Sequence, residues 1–186
     1  MIPIGVFRKH PEAKLPVKAT KKAACYDLFL CLTGDVTLYN KLNEKIKRPV
    51  QTRVEDILDE NDCVIGSEEI SFITIEPGDR VLMPTELIFD IPETHNLRFH
   101  PRSGLSLKKG LNLANCEAVI DEDYIDPSFV LLSNISDVTF IADHHERLAQ
   151  MEIVKEIESE VIEQFTAPEP RDSERDGGLG STGTKS

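Results

Sequence analysis

The sequence predicts an all-β protein of the sandwich or jelly-roll class with one short helix. Apolar residues recur in short alternating runs of strand period. Proline and glycine interrupt those runs throughout, as in Glu76-Pro77-Gly78-Asp79 and at Pro84, Pro92 and Pro101. Helical character is confined to two brief stretches. The chain has 186 residues, the size of one domain with appendages. Its apolar content of 40%, with no tryptophan and 6% aromatics, predicts an aliphatic core.

Taken in order, strands are expected at residues 2–7, 25–32 (with Asp27 as the charged member), 69–75, 80–83, 86–91, 97–100, 138–142 and 148–154. Residues 103–109 suit a short helix ended by Gly110. The charge-dense stretch 39–67 reads as a surface insertion. Within it Val54, Ile57 and Leu58 stand at i, i+3 and i+4, which predicts a turn or two of helix. Residues 115–129 hold an apolar run, Ala118-Val119-Ile120, then acids and Tyr124, then Asp126-Pro127 and a second apolar run. This reads as strand, tight turn, strand: a β-hairpin with Asp121 at the end of its inward arm. The expected organisation is a β domain over 1–155, containing the 39–67 insertion, and a flexible tail over 156–186. The tail is rich in acids, Pro and Gly and has little to bury, so it should be mobile until a ligand orders it.

The net charge of -12 disfavours nucleic acid or an anionic membrane as the main partner. No stretch approaches the ~20 apolar residues of a membrane span. Cys25, Cys31, Cys63 and Cys116 show neither C-x-x-C spacing nor pairing with histidines, so no zinc site is implied and a cytoplasmic protein with reduced thiols is expected. His144 and His145 adjoin Asp143 and Glu146, but neighbours on a strand face opposite ways, which disfavours a shared metal.

Three constellations carry chemistry. In Pro101-Arg102-Ser103-Gly104-Leu105 a strand stops and a helix begins, offering free amides, a hydroxyl, close approach at Gly104 and a guanidinium fork to a phosphate. In the tail, glycines 177, 178, 180 and 183 free successive amides to curl around an anion, beside Arg175, Ser181 and Thr182. In Glu146-Arg147-Leu148-Ala149-Gln150 a charged turn enters a strand. Read singly, each is ordinary: an N-cap with an exposed arginine, a solvated terminus, a polar turn.

In this order and spacing they are not ordinary. Ala23-Ala24-Cys25-Tyr26-Asp27-Leu28, Pro101-Arg-Ser-Gly-Leu, Val119-Ile-Asp-Glu-Asp-Tyr, Glu146-Arg-Leu-Ala-Gln and Gly177-Gly-Leu-Gly-Ser-Thr-Gly closely resemble the five motifs of the trimeric dUTPase family. The resemblance covers roughly residues 15–40 and 70–186. It implies a dUTPase-like β-jelly roll and a homotrimer that hydrolyses dUTP to dUMP and pyrophosphate with Mg²⁺, each site drawing on three chains. By the same resemblance Asp121 is the base that activates water, and Tyr124 lies under the deoxyribose. Asn115 with the backbone at Val119 and Ile120 reads uracil. Arg102, Ser103, Gly104 and Gln150 contact phosphate, and Asp27 is linked through water to Mg²⁺. The tail of a neighbouring subunit closes over the nucleotide, with Arg175, Ser181 and Thr182 on the γ-phosphate and Leu179 and Gly180 over the bound substrate. A carboxylate near the ordinary Asp pKa of ~3.9 is already a base at pH 7.

The chain departs from the family pattern at four places. Cys25 and Ala118 replace glycines, Ile125-Asp126-Pro127 replaces an Arg-Gly tip, and Leu179 replaces the tail aromatic that stacks on uracil. Two other readings stand beside hydrolysis. dCTP deaminase shares the architecture, although the acids after Ile120 and the Gly-rich tail follow the hydrolase pattern. A catalytically weak dUTPase-fold protein would act as a nucleotide-sensing regulator or binding protein. The 39–67 insertion is either a tolerated surface excursion or an appendage for a protein partner.

Overall fold

A computed structural model describes residues 2–168. The described chain runs β1 (Gly5–Arg8), β2 (Tyr26–Phe29), β3 (Val36–Tyr39), β4 (Lys45–Arg48), β5 (Gln51–Leu58), β6 (Val64–Ile75), β7 (Arg80–Pro84), β8 (Leu87–Asp90), β9 (His95–Pro101), α1 (Ser103–Lys109), β10 (Leu111–Leu113), β11 (Ala118–Ile120), β12 (Phe129–Asn134), β13 (Phe140–Asp143) and β14 (Arg147–Lys155). Their sheets have the orders β1-β8, β10-β12-β7-β3-β4, β11-β9-β14-β2 and β13-β6-β5. The strand pairs are antiparallel, and sequence neighbours often lie in different sheets, the connectivity of a jelly roll.

Alternation builds the core. On β9 Leu97 and Phe99 are fully buried while Arg98 and His100 between them are half-exposed. Val81 and Met83 on β7, Val130 and Leu132 on β12, and Ala149 and Met151 on β14 follow the same rule. All four sheets contribute to one buried cluster. It is aliphatic as expected, with Phe89 and Phe99 meeting edge to face at 6.2 Å.

The eight strands read in order along the sequence are present, with ends shifted by a few residues, and the helix stands at Ser103–Lys109. Gly110 closes it at φ 65, and a Cβ there would lie 2.7 Å from the Cβ of Ser136, so this position requires glycine.

Two local expectations are corrected. Val54, Ile57 and Leu58 do not lie on a helix: they belong to β5, which pairs along its length with β6. The helical spacing was fortuitous. Beyond it, Asp59 accepts the amides of Asn61 and Cys63 at 2.8 and 2.9 Å, and this side-chain turn reverses the chain. β5 and the first half of β6 thus form an exposed ribbon. It is tied at its root by a bidentate pair from Arg53 to Asp143 of β13 (2.6 and 2.8 Å).

The second correction concerns 115–129. Both arms are strands, but they do not pair as a hairpin. β11 bonds to β9, while β12 bonds to β7 and β10 in the other large sheet. The eight residues between them are a crossover between sheets. Ser128 fixes its end by donating its amide to the Leu87 carbonyl at 2.8 Å.

Candidate active site

The first group of candidate residues gathers where β9 gives way to α1. Arg102 is the N-cap, extended at φ -89 and ψ 125, and its carbonyl accepts the amides of Leu105 and Ser106 at 3.0 Å. Among the described residues no side chain caps the helix, and no acid stands in its first turn. The amides of Ser103 and Gly104 therefore meet no side-chain cap and no acid of the helix's own first turn. A Cβ built at Gly104 meets nothing within 4 Å. Packing within the chain does not demand this glycine; it leaves open space above the helix start.

Beside this turn lies Asp27, on β2 directly opposite Gln150 of β14. Its carboxylate is only 2% exposed. Arg147 Nη1 donates to Oδ2 at 3.0 Å, Gln150 Nε2 to Oδ1 at 3.4 Å, and Arg102 Nε stands 3.5 Å from Oδ1. Arg102 Nη1 also donates to the Arg147 carbonyl at 2.8 Å. Arg102, Gln150 and Asp27 are thus brought together, joined by Arg147, to which the sequence reading assigns no role. Its signal was available: it stands three residues before Gln150 in a turn entering a strand. Nearby, burial pushes the Glu146 carboxyl above its ordinary range, against the Asp143 amide that donates to it and the Arg102 charge, while the Asp143 carboxylate adds to the rise.

The second group lies along β11 and the crossover. Asn115 and Asp121 are exposed, Val119 faces outward and Ile120 is half-buried. Ala118 packs inward opposite Phe99, so the family's glycine is replaced without strain. Tyr124 is 37% exposed, and its hydroxyl donates to the Pro127 carbonyl at 3.1 Å, which holds the ring across the crossover. The loop before β11 is also pinned. Cys116 has φ 63, and Glu117 beside it accepts from Arg98 Nη1 at 2.9 Å and faces His100 Nδ1 at 3.5 Å. Sequence reasoning did not find this clamp; its residues are separated in the chain and meet only through the β9–β11 register.

Within one chain Asp121 and Arg102 stand toward opposite ends of β9, while Asn115 precedes β11 on the Arg102 side. β11 runs antiparallel to β9 with Ile120 opposite Leu97, so Asp121 follows toward the start of β9, at the level of Asn96. Arg102 lies just past the other end of β9, five residues beyond Leu97, or about 17 Å of strand away before any lateral offset. Arg175, Leu179, Gly180, Ser181 and Thr182 lie outside the described residues.

His144 and His145 sit in the turn between β13 and β14, with ring centroids 3.8 Å apart and tilted by 45°, so the opposite-face rule for strands does not govern them. They serve the fold. His144 Nδ1 accepts the Leu32 amide at 2.9 Å, and His145 Nε2 lies 2.7 Å from the Glu12 carbonyl. Among the described residues, no group of three or more His, Cys, Asp or Glu is placed to hold a metal ion.

Known proteins share this architecture. A mutant of the Staphylococcus bacteriophage 80alpha dUTPase with dUpNHpp superposes with a TM-score of 0.68 at 18% identity, over 99% of this chain and 100% of that one. The likeness extends to sequence. The deoxyuridine 5'-triphosphate nucleotidohydrolase of Leptospira interrogans is 30% identical over 182 residues, 97% of this chain and 98% of the relative. That of Hydrogenobaculum sp. is 43% identical over 114 residues, 61% of this chain and 77% of the relative. The dUTPase family model matches residues 70–183, and this chain belongs to the dUTPase family.

Proposed function

We propose that this protein hydrolyses dUTP to dUMP and pyrophosphate. The observation that carries the reading is the uncapped, acid-free helix start with open space at Gly104, flanked by Arg102, Arg147 and Gln150. It is a ready receptor for a polyphosphate in a family whose relatives are named for dUTP hydrolysis. Asp121 is the base: exposed at the end of β11, it takes a proton from the water that attacks the α-phosphorus. The bond to the bridging oxygen breaks, and pyrophosphate leaves toward the arginines. Tyr124 lies against the deoxyribose, Asn115 and the β11 backbone at Val119 and Ile120 read uracil, and Ser103 and Gly104 bind phosphate. From the tail, Arg175, Ser181 and Thr182 reach the γ-phosphate and Leu179 and Gly180 cover the nucleotide.

Mg²⁺ is the proposed cofactor. The described residues build no cage for it, so the ion fits as a companion of the triphosphate, with Asp27 reaching it at most through water. When bound, it neutralises charge on the departing pyrophosphate.

The separation of Asp121 from Arg102 supports a homotrimer in which one chain's β11 faces another chain's helix start. Among the described residues no helix is long and apolar enough to cross a membrane. The four cysteines are free, and we place the protein in the cytoplasm.

The test is pyrophosphate release from dUTP, dTTP, dCTP and UTP. Release from dUTP alone is expected, with Asp121→Asn lowering it by about 10²–10⁴-fold. Release from dTTP at the same rate, or an unimpaired Asp121→Asn protein, would refute the assignment.

A further inference from the structure

We infer that Asp27 is a positioning residue: its buried carboxylate is the common anchor of Arg102, Arg147 and Gln150 and sets the geometry in which they meet the phosphates. The inference rests on the hydrolysis reading above and concerns the same site.

A carboxylate only 2% exposed is tolerated as an anion where charge and hydrogen-bond partners replace water. Both Asp27 oxygens are engaged. Oδ2 receives Arg147 Nη1 at 3.0 Å, and Oδ1 faces Gln150 Nε2 at 3.4 Å and Arg102 Nε at 3.5 Å. These donors come from the turn after β9, the start of β14 and the middle of β14, and among the described residues no other side chain gathers all three. Arg102 Nη1 on the Arg147 carbonyl brings the two guanidiniums together, and they repel unless a negative charge lies between them. Two guanidiniums sharing one carboxylate leave one positive charge in surplus, on side chains 26% and 47% exposed that reach solvent beside Ser103. The carboxylate thus faces inward and the cations face the space where phosphate binds.

The anchor makes a prediction of distinctive sign. By charge alone, removing a carboxylate near a phosphate site strengthens anion binding. If Asp27 acts solely through a metal, removing it changes nothing when no metal is present. As the anchor, its removal weakens anion binding with or without metal, because an asparagine at this position would set an amide against a guanidinium and release both arginines.

The experiment measures binding of dUTP, pyrophosphate and deoxyuridine to wild type and Asp27→Asn, each in EDTA and in Mg²⁺. The expected result is about tenfold weaker dUTP and pyrophosphate binding in the variant, by the same ratio in both conditions. Deoxyuridine binding should be unchanged, since none of Asn115, Val119, Ile120 and Tyr124 is among the side-chain partners of Asp27; a general loss of structure would move it too. Equal or tighter metal-free pyrophosphate binding in the variant, with a deficit appearing only in Mg²⁺, would overturn the inference. Pyrophosphate separates this from the wider reading. A wild type that binds pyrophosphate but neither binds nor hydrolyses dUTP would sink the hydrolysis assignment, while pyrophosphate binding unaffected by the substitution would sink the anchor alone. Should Asp27→Asn fail to fold, Arg147→Gln leaves the carboxylate and Arg102 in place and removes one anchored arm. Weaker metal-free pyrophosphate binding is expected there, and unchanged binding would again overturn the anchor.

Discussion

His144 shows how a single residue couples the fold to pH. Burial, with His145 close by, holds its imidazole below the ordinary value, while Glu12 opposes the shift. Its Nδ1 accepts the Leu32 amide, and protonation would turn that acceptor into a donor. The unfolded chain titrates near ~6.5 and so binds more protons than the native state between that value and the depressed one. The stability contributed by neutral His144 is therefore fully present above about pH 6.5 and lost as pH falls through its native pKa, at about 1.4 kcal/mol per unit of separation. Glu146, raised by burial, slopes the other way: its contribution is present below its unfolded pKa and lost as pH rises through the native one. Denaturant unfolding of wild type and His144→Asn across pH 5–8 (roughly that window) isolates the histidine. The variant should lack the acid-side loss, and identical profiles would refute the role. Leu179, outside the described residues, is proposed to cover uracil, and a leucine has no ring to stack on it. Because base–aromatic stacking contributes ~1–3 kcal/mol, Leu179→Phe should raise kcat/KM several-fold, and a loss would mean the tail closes differently.

At the scale of elements, the ribbon and the crossover divide what the sequence reveals from what it hides. The strands that carry the site were legible because alternate residues along them enter the core, as Leu97, Phe99, Ala149 and Met151 do. β5 was not, because its outward residues are apolar by chance of spacing and both its faces meet solvent, so no period is imposed. The crossover was misread because a turn signal at Asp126-Pro127 is local, while partner choice depends on β9 and β7, distant in sequence. The ribbon's root and tip are separable. Val54 lies opposite Glu69, and the pairing of Gln51–Arg53 with Ile70–Phe72 and the Arg53–Asp143 bridge stand below that rung. Replacing residues 55–68 with an Asn-Gly turn should leave the melting temperature, the oligomeric state and dUTP hydrolysis at wild-type level. A changed oligomeric state would show that the tip is an assembly element.

For the whole molecule, the decisive feature is that one chain holds Asp121 and Arg102, both proposed for one site, toward opposite ends of β9. The motif residues were legible one by one as candidates: Asp27, Arg102, Ser103, Gly104, Asn115, Asp121, Tyr124 and Gln150. Their distribution was not, because it follows from the antiparallel register of β9 and β11, which no local pattern encodes. Nor was the joining role of Arg147, which depends on β14 lying beside β2. The net charge of -12 is compatible with a polyphosphate ligand because Arg102 and Arg147 stand at the helix start, whose first turn holds no acid.

The most direct measurement co-expresses Asp121→Asn chains with Arg102→Ala chains, each inactive by itself. If Asp121 of one chain serves the helix start of another, random trimers should recover about a quarter of wild-type dUTP hydrolysis, since that fraction of sites joins the two intact residues. A mixture as inactive as its components would show that both residues act within one chain, and would contradict a site built between subunits.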